Sequence, residues 1–122
     1  GGIAWISGAS PDAPAPPVES AADRRARECI AEAATERREA SRVNANRSAA
    51  DTFTQAEAAL ARARTAIDGG HSDTAISEAQ EAASRFRAAS ELATRWGRVE
   101  SERESFDREL AAMEVRLRGE QQ

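Results

Sequence analysis

The sequence has few of the residue types that build active sites, disulfides or thick cores. In 122 residues there is one cysteine, Cys29, and one histidine, His71, and all 17 basic residues are arginine because lysine is absent. A single cysteine excludes an internal disulfide and provides no metal-binding framework. Phenylalanine, tryptophan and methionine together number only six. A core of ordinary thickness is therefore not expected.

Alanine supplies most of the hydrophobic content instead. The chain contains 29 alanines, and its hydrophobic fraction is 40%. Alanine offers little area to bury, and burial stabilises by only about 25 cal/mol per Å². Alanine also has the highest helix propensity and lets helices approach closely. The composition therefore predicts one small all-α domain held together by thin helix–helix contacts.

The charge distribution argues against nucleic acid as a partner. The formal net charge is −4, whereas a phosphate-binding surface needs a basic field. Arginine and glutamate are interleaved along the chain, which is typical of solvated helical faces that carry ion pairs.

Two short segments precede the helical domain, which we assign to residues 19–122. Residues 9–18 hold all four prolines, which block helix formation, so they are predicted to form an extended Pro/Ala linker. Residues 1–8 are apolar but too short for a bilayer, which needs about 20 residues. Three origins stay open for them: the end of a transmembrane helix, a mature N-terminus, or a cloning remnant. In the first case the residues at the membrane interface would be Ile3, Trp5 and Ile6.

The first predicted helix runs from Glu19 to Val43, a segment dense in alanine, arginine and glutamate. Its apolar stripe is weak and consists of Ala26, Ile30, Ala33, Ala40 and Val43. The segment from Asn44 to Ser48 is the predicted break, because asparagine and serine compete with the helical backbone. One uninterrupted helix is the alternative.

Residues 51–91 carry the pattern of an antiparallel helical hairpin. Asp51 is the predicted N-cap of its first helix, and Ser72 or Asp73 that of its second. A Gly-rich turn from Asp68 to Asp73 separates two amphipathic stripes. The stripes are Phe53, Ala56, Leu60, Ala63 and Ile67 before the turn, and Ile76, Ala79, Ala83 and Phe86 after it. This pattern places Phe53 near Phe86 at the open end, with the two isoleucines near the turn.

The last helix is predicted to continue over residues 92–118 with a coiled-coil-like heptad repeat. The positions of this repeat, which we call the seam, follow one another at alternating spacings of 4 and 3. The seam is out of register with the apolar stripe of the hairpin, and the shift between the two falls near residues 89–92. The seam is Leu92, Trp96, Val99, Arg103, Phe106, Leu110, Met113 and Leu117. We predict these residues as the interface for a protein partner or for self-association, because a long exposed apolar stripe is a binding or aggregation site. The alternative is that the seam folds back on the first helix and closes a three-helix bundle.

Two residues interrupt this seam helix. Arg103 occupies a seam position, where its side chain either extends to solvent along its apolar stem or sets the register by contacting an acidic group of a partner. Gly97 is a weak point, since glycine disfavours a helix by about 1 kcal/mol relative to alanine.

No pattern of catalytic, cofactor-binding or metal-binding residues is present. His71 lies in the Gly-rich turn, far from Cys29 in the sequence, and no motif links the two. The neighbouring Asp68 and Asp73 are expected as helix-terminal acids rather than metal ligands. Cys29 is expected to be a buried structural thiol, with an intermolecular disulfide as the alternative. We therefore expect a non-enzymatic protein with no cofactor and no metal.

Within residues 50–93, ten positions form a recognisable pattern: Phe53, Ala56, Leu60, Ala61, Ala63, Gly70, Ala75, Phe86, Ala89 and Ala93. At these positions the segment resembles the Ala-rich helical hairpin of bacterial periplasmic lipoproteins, a domain often found ahead of OmpA-like domains. The segment also resembles a single tetratricopeptide hairpin at Gly70, Ala75, Ile76 and Ala82, but it lacks the bulky positions of that repeat. The lipoprotein resemblance implies a periplasmic or extracytoplasmic location and a structural or binding role.

The expected function is that of a non-enzymatic structural, scaffold or accessory subunit of a bacterial envelope or membrane-associated assembly. It would act through helix–helix contacts of the seam, and it would be tethered to the membrane if residues 1–8 end a transmembrane helix. The alternative is a periplasmic ligand-binding or cell-wall-binding helical module.

Overall fold

The computed structural model describes residues 18–121, and the regular structure in this range is entirely helical. The helices are α1 (Ala21–Arg42), α2 (Ala45–Ser48), α3 (Ala50–Asp68) and α4 (Ser72–Glu120). The predicted all-α fold class is thereby confirmed. The predictions for residues 1–8 and for nearly all of the Pro/Ala linker, including a membrane contact at Ile3, Trp5 and Ile6, fall outside the described residues.

Helix α1 begins and ends within two residues of the predicted positions. At its start the Ser20 hydroxyl oxygen accepts a hydrogen bond of 3.0 Å from the backbone N–H of Asp23, which satisfies one of the free donors of a helix N-terminus. After its end Asn44 adopts a left-handed backbone conformation with φ of +59°, which asparagine tolerates better than most residues. The predicted break is confirmed at Asn44, although residues 45–48 of the predicted segment form a helical turn, and the alternative of one uninterrupted helix is wrong.

The predicted cap at Asp51 is wrong, because helical hydrogen bonding begins earlier. The one-turn helix α2 passes almost directly into α3 through bonds of 2.9 Å from Ala49 N–H to the Ala45 carbonyl and from Phe53 N–H to the Ala49 carbonyl. Ala49 is thus the N-cap residue, without a side-chain bond. Asp51 lies in the first turn of α3, where its carboxylate still interacts favourably with the helix dipole.

The Gly-rich turn predicted between α3 and α4 is present, but the N-cap predicted for α4 is wrong. Gly70 has φ of +79°, and its N–H donates to the Ile67 carbonyl at 3.1 Å while His71 N–H donates to the Ala66 carbonyl at 2.8 Å. These two bonds form a Schellman motif. Neither Ser72 nor Asp73 caps α4, since His71 precedes it with no side-chain cap bond. The Ser72 hydroxyl donates instead to the Asp23 carboxylate of α1.

Helices α1 and α3 both pack against the N-terminal half of α4, which makes an up-down-up three-helix bundle. The hairpin prediction is confirmed by the edge-to-face pair of Phe53 and Phe86, whose ring centroids lie 5.2 Å apart. Most other core residues are alanines, and Phe86 and Leu60 are the largest fully buried side chains. Cys29 is buried against Ala63 and Ala79, as expected for a structural thiol.

Exposed ion pairs connect the three helices. Arg37 of α1 contacts Glu57 of α3 at 2.9 Å, and Arg62 of α3 contacts Glu78 of α4 at 3.0 Å. Arg87 of α4 contacts Glu32 of α1 at 2.8 Å. Because all of these side chains are substantially exposed, each pair contributes only about 0–1 kcal/mol. The interleaved arginines and glutamates therefore orient the helices more than they stabilise them.

The fold-back alternative is wrong: α1 packs on residues 72–93 of α4, not on the seam. Helix α4 continues without a break through Gly97 to Glu120. Beyond Ala93, every described residue is exposed except the partly exposed Ser105. The bundle is therefore closed by the first half of α4, and the second half projects past it.

Replacement of Gly97 by alanine should stabilise the projecting half of α4. Gly97 lies in the middle of a helix, and a Cβ atom added there meets nothing within 4 Å. We expect a gain of about 0.5–1 kcal/mol of helix stability, measured as slower amide hydrogen exchange over residues 95–105. The matched control is Gly70→Ala, which should destabilise the bundle because φ at Gly70 is +79°. Unchanged exchange in Gly97→Ala would contradict a continuous helix here.

Acid should weaken the contact between the starts of α1 and α4. The Ser72 hydroxyl, followed by Ser20, lowers the pKa of the Asp23 carboxyl below its ordinary value of 3.8. Because the pKa of Asp23 is lower in the folded state, the hydrogen bonds to its ionised carboxylate stabilise the fold above pH 3.8. This stabilisation is lost as the pH falls through the folded-state pKa. We expect Ser72→Ala to return the pKa of Asp23 toward 3.8, measured by carboxyl NMR titration. Ser77→Ala, at an exposed position of the same helix, should leave that pKa unchanged.

Candidate protein-interaction surface

The candidate site is the C-terminal half of α4. We call its eight predicted interface residues the seam: Leu92, Trp96, Val99, Arg103, Phe106, Leu110, Met113 and Leu117. All eight are exposed, for example Trp96 by 55%, Phe106 by 58% and Leu110 by 42%. They follow one face of a helix for about 38 Å, given the rise per residue of an α-helix. The seam is therefore a long apolar ridge that nothing else in residues 18–121 covers.

One heptad row joins the bundle core to the seam. Counting in sevens from Ala75, the row passes through the buried Ala82 and Ala89 and continues as the exposed Trp96 and Arg103. Its last members are Leu110 and Leu117. The same side of α4 is thus covered by α1 and α3 up to residue 93 and uncovered beyond it.

A second heptad row explains why the bundle stops at Ala93. In the bundle this row is Ala79, Phe86 and Ala93, all of them buried. Seven residues further on, the row becomes acidic, and its members are Glu100, Asp107 and Glu114. A longer α1 or α3 packed in the same way would bury these carboxylates, which is strongly unfavourable without partners.

The register shift predicted near residues 89–92 corresponds to an exchange of rows. Within the bundle, the second buried row lies four positions after each member of the row that runs from Ala75 to Trp96 and beyond. Beyond the bundle, the second apolar row lies three positions after each member of that first row. Its members are Leu92, Val99, Phe106 and Met113. On a helix of 3.6 residues per turn, this exchange rotates the centre of the apolar face by about 50°. A helix that binds the seam therefore approaches from a different direction than α1 or α3.

The residues that flank the seam are mainly acidic. One edge carries Glu100, Asp107 and Glu114, and the other carries Arg95, Glu102, Glu109 and Arg116. Arg103 lies in the seam between these edges and is exposed. Flanking charges of a heptad seam set partner choice and orientation, because they meet the flanks of the partner helix.

At its N-terminal end the seam begins in a small groove against the bundle. The groove is lined by Leu92, Arg95, Trp96 and Val99 of α4 and by Ser48 of α2. Its wall is almost entirely apolar. The end of α2 therefore borders the N-terminal end of the seam.

The rest of the described chain offers little chemistry. His71 is exposed in the interhelical turn, whereas Cys29 is buried between α1 and its two neighbours, so the structure does not bring them together. Residues 18–121 contain no group of three or more histidine, cysteine or acidic side chains placed to hold a metal ion. A depression beside the interhelical turn is open and combines Arg27 and Arg64 with Glu19, Asp23 and Asp68.

Within the described range, none of the helices combines the length and the apolar character that crossing a membrane requires.

The acidic row and the use of residues 72–93 as the third bundle helix were missed from the sequence. The acidic row is visible in the heptad count itself, since the positions of Ala79, Phe86 and Ala93 recur as Glu100, Asp107 and Glu114, but the count does not show which helix packs on residues 72–93. The weak α1 stripe obscured this, because a stripe made mainly of alanine gives little signal of what it packs against.

No protein-family model, no curated protein and no solved structure matches this chain. The fold and the surface nevertheless define a class of architecture: an all-α three-helix bundle in which one helix is prolonged by an uncovered heptad seam.

Proposed function

We propose that this chain is a non-enzymatic structural, scaffold or accessory subunit that docks onto another protein through the seam. The single observation that supports this proposal is the run of bulky apolar side chains exposed along the projecting half of α4. The bundle itself uses mostly alanine, and the seam holds half of the large apolar residues of the described chain outside the phenylalanine pair.

The seam leaves a large apolar area in contact with water. Full burial of one large apolar side chain stabilises by about 1.5–3 kcal/mol relative to exposure. Seven such residues stand on the seam, and none of them is buried by the part of the chain that the structure describes. Because contiguous exposed apolar surface of this kind marks interaction sites, a second helix along the seam is the simplest way to cover it.

The assembly that we propose lies in or near a bacterial envelope, in a periplasmic or extracytoplasmic location. Two features support this part of the proposal: the resemblance of residues 50–93 to the Ala-rich hairpin of periplasmic lipoproteins, and an apolar segment followed by a Pro/Ala linker before the bundle. Docking through the seam does not require this location, because the same interactions hold two helices together in any aqueous compartment.

A ligand-binding or cell-wall-binding module is the alternative function. A binding site for it would be the depression lined by Arg27, Arg64, Asp23 and the interhelical turn. This depression is wide open and carries charges of both signs, whereas small-molecule sites are usually enclosed and largely apolar with a few convergent polar groups. We therefore favour the scaffold role.

Site-specific photo-crosslinking tests the proposal in the cells that make the protein. A photoreactive phenylalanine analogue is placed in the full chain at seam positions Val99, Phe106 or Met113, and at the opposite-face positions Ser101, Arg108 or Val115. We expect one discrete crosslinked product from every seam position and none from the opposite face. Equal products from both faces, or no product from the seam, would refute docking through this surface.

A further inference from the structure

We propose that the occupant of the seam is a different chain: an amphipathic helix with basic flanks and an acidic residue that faces Arg103. This inference rests on the proposed function and adds the chemistry of the partner. A second copy of this chain is the obvious competitor, because seam residues alone would suit self-association. The flanking charges decide between the two.

Parallel pairing of two copies would oppose like charges. In a parallel two-stranded coil, each flanking residue of one edge meets the residue five positions later on the opposite edge of its partner. Glu102 would meet Asp107, and Glu109 would meet Glu114, while only Arg95 and Glu100 attract. Arg103 would also face its own copy inside the seam.

Antiparallel pairing with full overlap is no better. In that arrangement each edge meets the same edge of the second copy, running in the opposite direction. Arg95 would face Arg116, Glu102 would face Glu109, and Glu100 would face Asp107. All of the flanking charge pairs along the overlap therefore repel.

A partner with basic flanks removes these conflicts. Five of the seven charged flanking residues are acidic, and they lie together along the central part of the seam between residues 100 and 114. In either helix direction they would meet basic residues of the partner. Arg103 lies near the middle of the seam, so a single carboxylate in the central layer of the partner would pair with it. Such flanking charges set specificity more than affinity.

Two synthetic helices and the full-length chain provide the test. One peptide of about four heptads has leucine and isoleucine at its seam positions, arginine at its flanks and glutamate in its central layer. The other has the same apolar residues with glutamate at its flanks and arginine in its central layer. Calorimetric titration should give at least about tenfold tighter binding of the basic-flanked peptide, equivalent to about 1.4 kcal/mol. The preference should shrink in high salt, because exposed charges are screened.

A charge-reversed variant provides the matched control. Glu100→Arg, Asp107→Arg and Glu114→Arg together change exposed residues outside the bundle, so the fold should persist and the peptide preference should invert. Sedimentation of the unmodified chain should show a monomer. A dimer that Leu110→Glu dissociates would overturn this inference, because a second copy would then occupy the seam, while docking through the seam would stand. Equal affinity for both peptides, or binding of neither, would also overturn it. The proposed function itself would be removed by the crosslinking results described above: no product from the seam, or equal products from both faces.

Discussion

Phe86→Ala should remove a large part of the stability of the three-helix bundle. Phe86 is 0% exposed and contacts Phe53 edge to face at 5.2 Å. Truncation of a buried phenylalanine to alanine costs about 3–5 kcal/mol, because transfer free energy is lost and a cavity remains. The whole stability of a small domain is about 5–15 kcal/mol. In a bundle whose other core residues are mostly alanine, few neighbouring side chains can fill such a cavity. Chemical denaturation followed by circular dichroism measures the loss.

Leu92→Ala is the control for this prediction. It removes a large apolar side chain from the same helix, but from a position that is 42% exposed. We expect a loss of stability well under half of that caused by Phe86→Ala. Similar losses for the two substitutions would show that the residues around Phe86 and Leu92 share one core, contrary to the separation of bundle and seam.

Ala33→Glu should abolish the packing of α1. Ala33 is 0% exposed and belongs to the main core cluster, where α1 contacts the residues around Phe86. A carboxylate at this position would lose its water and find no partner, which costs several kcal/mol. Since α1 packs against both α3 and α4, the substitution should expose the core and reduce the helical signal. Thermal unfolding and hydrogen exchange measure both effects.

Ala31→Glu is the matched control, because Ala31 is an exposed residue of the same helix. Surface substitutions of this kind usually change stability by less than about 0.5 kcal/mol. If Ala33→Glu behaved like Ala31→Glu, then α1 would not be a member of the bundle, and the weak sequence stripe of α1 would be the better guide.

Much of the fold follows from local patterns. The hairpin, its Gly70 turn, the helix break at Asn44 and the Phe53–Phe86 contact were all predicted from spacing and residue preferences, and the structure confirms them. Such features are encoded over short stretches of chain, since helical periodicity and turn residues act within a few positions of one another. The eight seam residues were likewise identified by their heptad spacing, although their proposed role as an interface stays a prediction.

The errors concern residues whose partners are distant in the sequence. Asp51 and Ser72 both have the side chains of helix caps, but the backbone of α2 continues into α3, and the Ser72 hydroxyl turns to Asp23. The alternative in which the seam folds back on the first helix failed for the same reason. Ala33 and Ala40 fit closely against the first half of α4, and small residues of this kind show no preference for a partner until three helices are brought together.

The sequence by itself determined the helical class, the helix boundaries to within a few residues, and the existence of an apolar row that continues past residue 92, because propensity and periodicity are properties of the local chain. Only the tertiary structure decided which half of α4 the other helices cover. That choice depends on how closely alanine-lined helices approach and on where the buried row of Ala79, Phe86 and Ala93 gives way to Glu100. A carboxylate at that position ends the favourable burial and leaves the ridge beyond it exposed.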